Sequence, residues 1–221
     1  MRTSPIVKIC GLSTPETVSA ALDNGAAMVG FIFFAKSPRH VSAAHASDLR
    51  QLAIGRAESV AVTVDADDAY LDEIVSVMKP DWLQLHGHET PQRVLDVKAR
   101  YGLPVMKALS VREVADLDAI GHFLGIADKF LFDAKAPKGS ELPGGNGVSF
   151  DWTLLNALDP GLDYMLSGGL NSGNVCEALR VTHAPGLDIS SGVENAPGIK
   201  DVRLIEQFFA SLKSAASGVT K

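Results

Sequence analysis

The sequence predicts an α/β fold, a single (β/α)8 TIM barrel over residues 1–221, and three features carry that reading. Eight short apolar or β-branched runs alternate with helix-like segments. The glycine-rich, phosphate-like turns come late, after the seventh and eighth runs, where such barrels usually bind phosphate. The chain has 221 residues, near the lower end for eight strand–helix units. An open doubly wound sheet is the alternative, but it usually places one glycine-rich turn after its first strand.

The predicted strands span residues 6–10, 28–33, 60–64, 82–86, 105–109, 129–133, 164–167 and 187–190. After the first strand, Thr14-Pro15-Glu16 puts proline just inside a helix start, and Thr90-Pro91-Gln92 repeats this after the fourth. Leu71, Ile74, Val75 and Met78 recur near the helical period, as do Leu204, Ile205, Phe208 and Phe209 in the last helix. Asn171 and Ser172 begin the helix after the seventh strand. Residues 136–148 form a longer Pro- and Gly-rich connection, and such a loop is usually functional or mobile. The tail, 214–221, reads as frayed.

Composition narrows the function. Hydrophobic residues are 46% and charged residues 21%, an ordinary soluble balance. No apolar run approaches about 18 residues, so no membrane span is expected, and the N-terminus lacks the apolar region of a signal peptide. The net charge is −6 with no basic stripe, which argues against nucleic acid. An anionic substrate then needs local positive potential. Cys10 and Cys176 lie far apart without CxxC spacing, so a reducing cytosol fits and a disulfide framework does not.

Barrel active sites are built at the C-terminal strand ends. Those ends read Cys10, Phe33, Val64, His86, Leu109, Asp133, Ser167 and Ser190. Cys10, His86 and Asp133 are candidate chemistry; the rest are candidate walls and backbone donors. A free cysteine is commonly a buried, inert thiol, and Cys176 is read that way. Cys10 instead sits at a strand end before Gly11. At its reference pKa only about 3% is thiolate at pH 7, and Lys8 and Arg39 could supply charge to raise that fraction. Asp133 is a helix cap, a salt-bridge partner or a general acid. At its reference pKa about one Asp in a thousand is protonated at pH 7, and desolvation by Phe132 and the barrel wall would reduce that handicap.

The turns Ser167-Gly168-Gly169-Leu170-Asn171 and Ser190-Ser191-Gly192-Val193 let backbone N–H groups approach an anion. His86 and His88 with Glu89 make only a weak metal signal, with no third ligand obvious, so no metal is expected and His86 lines the pocket. Lys8, Lys107 and Asp188 lie in otherwise apolar strands. Alternation puts Lys8 on the face of Cys10, inside the barrel, and Asp188 on the neighbouring eighth strand is its expected partner.

Taken together, the motifs resemble phosphoribosylanthranilate isomerase over nearly the whole chain. Lys8-Ile9-Cys10-Gly11, Gly30-Phe31-Ile32-Phe33, Lys36-Ser37-Pro38-Arg39 and Gln84-Leu85-His86-Gly87 resemble its first half. Asp133, Gly144-Gly145-Asn146-Gly147, Phe150-Asp151-Trp152 and Ser167-Gly168-Gly169-Leu170 resemble the sixth and seventh units. Asp188 to Glu194, then Pro197-Gly198 and Lys200-Asp201, match the end.

The resemblance implies a cofactor-free, metal-free Amadori rearrangement of phosphoribosylanthranilate in tryptophan biosynthesis, an intramolecular oxidoreduction of the aldose–ketose type. It implies Cys10 as general base, Asp133 as general acid and Arg39 against the anthranilate moiety. It also implies backbone at Gly168, Gly169, Ser190, Ser191 and Gly192 around the phosphate, and Gly144, Gly145 and Gly147 in a flexible loop near the substrate. Asn146 departs from the family's usual Thr, and Asp65 from its usual Asn. The expected partner is the small-molecule substrate alone, in a cytoplasmic monomer or homodimer. The rivals are the histidine-pathway isomerase or another aminoaldose-phosphate barrel, and a non-catalytic phosphate-binding barrel that needs neither Cys10 nor Asp133.

Overall fold

Eight parallel strands close on themselves in chain order, the first hydrogen-bonded to the eighth. They are β1 (Ile6–Cys10), β2 (Met28–Phe33), β3 (Glu58–Thr63), β4 (Trp82–Leu85), β5 (Val105–Val111), β6 (Lys129–Ala134), β7 (Tyr164–Leu166) and β8 (Gly186–Ile189). The computed structural model describes residues 4–136, 140, 142, 144, 145, 147 and 149–218. Of the long connection, residues 137–139, 141, 143, 146 and 148, Asn146 among them, lie outside the described residues.

Helices α1 (Pro15–Asn24), α2 (Ala43–Gln51), α3 (Asp68–Met78) and α4 (Pro91–Tyr101) follow the first four strands, and α5 (Val175–Thr182) and α6 (Val202–Gly218) the last two. The expected caps form. Thr14 accepts from the Thr17 N–H at 3.3 Å and Thr90 from the Arg93 N–H at 3.2 Å. Gly25 and Gly102 end α1 and α4 in the left-handed conformation. A two-stranded hairpin, β9 (Glu194–Ala196) with β10 (Ile199–Lys200), lies between β8 and α6. Among the described residues no helix is long and apolar enough to cross a membrane.

Four expectations shift. Units five and six carry 3-10 turns, Val114–His122 and Trp152–Ala157, in place of α-helices. The second is confined between its Asp151 cap and Asp159-Pro160, where proline disfavours helical backbone in the residue before it. The helix after β7 starts at Val175 rather than at Asn171 or Ser172. Asn171 instead accepts from the Gly173 N–H at 2.8 Å and gives its own N–H to Asn174 at 2.9 Å. Those local bonds compete with the helical ones. Strands β3, β4, β7 and β8 end one residue before the predicted ends. The tail expected to fray from residue 214 continues α6 to Gly218.

Side-chain alternation sorts the strands' residues into two layers. Cys10, Met28, Val60, Val62, Met106, Ala108, Leu131 and Met165 fill the barrel interior. Their neighbours, including Ile9, Phe31, Phe33, Leu83, Phe130 and Phe132, face the helices, where Leu71, Ile74, Phe208 and Phe209 meet them. Leu109 packs against that outer layer too. Phe33 and Leu109 are therefore not walls of the mouth: each is one residue out of phase with the interior set.

Two charges are sealed into the inner layer. Lys8 has no exposed surface, and its Nζ donates to Asp188 Oδ1 at 2.8 Å. The two residues are register partners across the seam between β1 and β8. Asp188 Oδ2 also accepts from the Ser167 hydroxyl at 3.3 Å. Removing one member of such a pair leaves the other charge buried alone. Lys8→Met is expected to cost about 3–5 kcal/mol in urea unfolding, and Lys8→Met with Asp188→Leu to recover part of it. A single variant as stable as the parent would contradict this account of the seam.

Candidate functional site

A hollow opens at the C-terminal ends of the strands, and it collects most of the residues singled out from the sequence. Cys10, Arg39, His86, Asp133, Ser167 and Ser190 line it, with Gly144, Gly145, Gly147, Gly168, Gly169 and Ser191. Gly192 does not. It packs below, where a Cβ would stand 1.8 Å from the Leu170 carbonyl oxygen. His88 points away with its side chain 95% exposed, so the two histidines do not converge.

Cys10 is the last residue of β1, and its thiol is buried beside Gly30 of β2, where a Cβ would come within 3.1 Å of the sulfur. Gly11 then turns the chain with φ +77°. Burial pushes the thiol above its ordinary pKa. Lys8 opposes that, Asp188 adds to it, and Lys200 opposes it more weakly. The expected help from Lys8 is therefore present but outweighed. Arg39, the other expected helper, is paired with Glu194. Arg39 Nε and Nη2 donate to the two Glu194 oxygens at 2.7 and 2.8 Å.

Asp133 is buried in β6, and its Oδ1 accepts the Ala134 N–H at 2.9 Å. Its Oδ2 lies 3.4 Å from His86 Nε2, which is itself buried without a hydrogen bond among the described residues. Phe132 does not desolvate Asp133 as expected. Its ring points outward and stacks on Phe130 at 6.2 Å. The covering group is instead the loop glycine Gly144, where a Cβ would stand 2.3 Å from Asp133 Oδ2 and 2.8 Å from His86 Nε2. Gln84, fully buried in the barrel, sits 2.9 Å from His86 Nδ1 and holds the ring from below.

The two late turns meet beside Cys10 and Asp133. Gly168 and Gly169 are both left-handed, at φ +88° and +64°, and a Cβ on Gly168 would stand 2.7 Å from the Ala134 nitrogen. Ser191 opens a short 3-10 turn, Ser191–Val193. Lys200 of the hairpin supports Ser190, donating to its carbonyl at 2.9 Å and its hydroxyl at 3.2 Å. Burial lowers the Lys200 pKa despite the attraction of Glu194.

Four participants received no role of their own in the sequence reading. Gln84 looks like a strand interior residue, and Glu194 and Lys200 lie in a segment with no strand or helix period. Glu89 is the fourth. Its carboxylate pairs with buried Lys107 at 2.9 Å and takes the Gly87 and Asp65 N–H groups, which pins the turn after β4. The one signal in the sequence was Lys107, a lysine in an apolar strand with no partner named.

A family model for N-(5'-phosphoribosyl)anthranilate (PRA) isomerase matches residues 7–211. An N-(5'-phosphoribosyl)anthranilate isomerase of Mesorhizobium japonicum is 66% identical over 209 residues, 95% of each chain. The crystal structure of the phosphoribosyl anthranilate isomerase of Thermotoga maritima aligns with TM-score 0.85 and 31% identity, over 95% of this chain and 99% of that one. A phosphoribosyl anthranilate isomerase in complex with reduced 1-(o-carboxyphenylamino)-1-deoxyribulose 5-phosphate aligns with TM-score 0.82 and 29% identity, over 95% and 99% of the two chains.

The burial of Cys10 sets its reactivity against that of exposed Cys176. Alkylation at pH 7.5, followed by peptide mass spectrometry, is expected to modify Cys176 at least about tenfold faster. The Cys10 rate should keep rising with pH beyond the ordinary thiol value of about 8.5. A Cys10 rate that saturates below pH 8 would contradict the raised pKa.

Proposed function

The chain belongs to the N-(5'-phosphoribosyl)anthranilate isomerase family, and from that premise we propose its reaction and the residues that perform it. The protein converts N-(5'-phosphoribosyl)anthranilate to 1-(2-carboxyphenylamino)-1-deoxyribulose 5-phosphate, the Amadori step of tryptophan biosynthesis. The observation that carries the assignment of roles is the convergence of one thiol and one carboxyl, Cys10 and Asp133, on one hollow beside paired glycine turns.

Asp133 gives its proton to the ribose ring oxygen as the C1′–O bond breaks. The anilino nitrogen lone pair forms the C1′=N bond, which leaves a protonated imine. The Cys10 thiolate removes the C2′ proton, and the C2′–H electrons become the C1′=C2′ bond of an enolamine. Tautomerisation returns a proton to C1′ and gives the ketone. C1′ is reduced and C2′ oxidised within one molecule, so the balance closes without an added oxidant or reductant. His86, 3.4 Å from Asp133 Oδ2, lines the acid's side of the hollow.

The ends of the substrate are gripped separately. Backbone at Gly168, Gly169, Ser190 and Ser191 holds the phosphate, and Arg39 holds the anthranilate carboxylate. Gly144 and Gly145 pass over the reacting centre, close to Asp133 and Arg39. Remote binding energy then serves to orient C2′ toward Cys10. We infer one barrel domain acting in the cytosol on this small molecule alone, as a monomer or homodimer.

Fluorescence assay of freshly generated substrate, in the presence of a chelator, tests the roles. Cys10→Ala and Asp133→Ala are each expected to lower kcat at least about 100-fold. Activity like the parent's in either variant removes that residue from the mechanism. Arg39→Ala is expected to weaken binding of the reduced product analogue by about tenfold or more, and an unchanged Kd would contradict its role.

A further inference from the structure

The guanidinium of Arg39 is held on one edge, and on the other no acceptor meets it among the described residues. Its side chain and that of Glu194 are each only 4% exposed. Nε and Nη2 form a side-on pair with both Glu194 oxygens, at 2.7 and 2.8 Å. Nη2 also donates to the Gly145 carbonyl at 3.2 Å. Arginine has five N–H donors in a rigid plane. Among the described residues Nη1 donates to nothing. It faces Gly145, where a Cβ would come within 2.6 Å of it.

Glu194 is itself fixed. Lys200 Nζ reaches its Oε1 at 2.6 Å, and the Gly198 N–H its Oε2 at 3.3 Å. The hairpin that carries it presses on the residue before Arg39: a Cβ on Gly198 would stand 2.4 Å from the Pro38 carbonyl oxygen. Burial pushes the Glu194 carboxyl up, but the Arg39 hydrogen bonds and the Lys200 charge outweigh that and hold it below its ordinary value. Two cations therefore share one carboxylate. Formally the cluster holds one more cation than anion, and Arg39 lines the hollow with its Nη1 free of a hydrogen-bond acceptor among the described residues.

We propose that Glu194 is a positioning residue that clamps Arg39 so that its Nη1 edge selects a substrate carrying a ring carboxylate. The inference rests on the reading of Arg39 as the carboxylate grip. Glu194 acts through Arg39: it fixes the plane of the fork and fills the edge that would otherwise compete for the ligand. The bound carboxylate then neutralises the charge left over in the cluster. The hairpin β9–β10 is thereby a specificity element, although it contributes no group to the reacting atoms.

Calorimetric titration tests this with two ligands, reduced 1-(2-carboxyphenylamino)-1-deoxyribulose 5-phosphate and its phenylamino counterpart without the carboxylate. The parent protein is expected to prefer the carboxylated ligand, and Glu194→Gln to lose about 10- to 100-fold of that preference. The loss should appear in KM more than in kcat, and inorganic phosphate should compete as well as in the parent. Glu194→Asp keeps the charge on a shorter arm. It is expected to restore part of the preference, and it carries the test if Glu194→Gln fails to fold. An undiminished preference in the variants overturns this inference alone. An equal loss of phosphate binding makes Glu194 a general structural residue and also overturns it. No preference in the parent protein removes the carboxylate reading of Arg39, and this inference with it.

Discussion

The ion pair between Lys8 and Asp188 is the constraint on which the rest of the site depends. It lies in the closing seam of the barrel, almost wholly out of water, where two charges persist only if each neutralises the other. It joins three things at once. It links β1 to β8, it anchors the Ser167 hydroxyl at the end of β7, and it places an ammonium beneath Cys10. Burial alone would leave that thiol harder to ionise. Lys8 offsets part of this cost and Asp188 gives some of it back. The thiol thus lies above its ordinary pKa, with the Lys8 ammonium beside it pulling the other way.

A second network governs the rim. Glu194 stands between Arg39 and Lys200, and Lys200 also supports Ser190 in the late turn. A single carboxylate thereby connects the end of the hollow read as the carboxylate grip with the end read as the phosphate cradle. Each cation is held by several short contacts rather than left to swing in solvent, so little order remains to be imposed on binding. The close approaches are made by glycines. At Gly144, Gly145 and Gly168, any side chain would collide with Asp133, Arg39 or the backbone of Ala134.

The two sides of each strand do different work, and a shift of one residue exchanges them. Phe132 and Asp133 are neighbours in sequence, yet one ring packs among the helices while the carboxyl faces the mouth. Phe33 and Leu109 fall on the outer layer for the same reason. A list of strand ends therefore mixes site residues with core residues, unless the period of two is carried through from the interior set.

Much of this protein was legible in its sequence. The eight strands, the threonine caps of α1 and α4, and the pairing of Lys8 with Asp188 all follow from local periodicity, turn chemistry and the cost of burying a charge. So does the place of Cys10 and Asp133 at strand ends. The 3-10 turns of units five and six and the late start of α5 depend on short-range competition among caps, prolines and asparagine side chains, which apolar spacing does not register. The roles of Gln84, Glu89, Glu194 and Lys200 were decided by tertiary structure alone. Their partners lie on other elements or emerge only when a loop folds back, as Glu194 does on Arg39 across 155 residues. A sequence states which charges must be compensated once buried; only the closed barrel brings the compensating group within about 3 Å of the one that needs it.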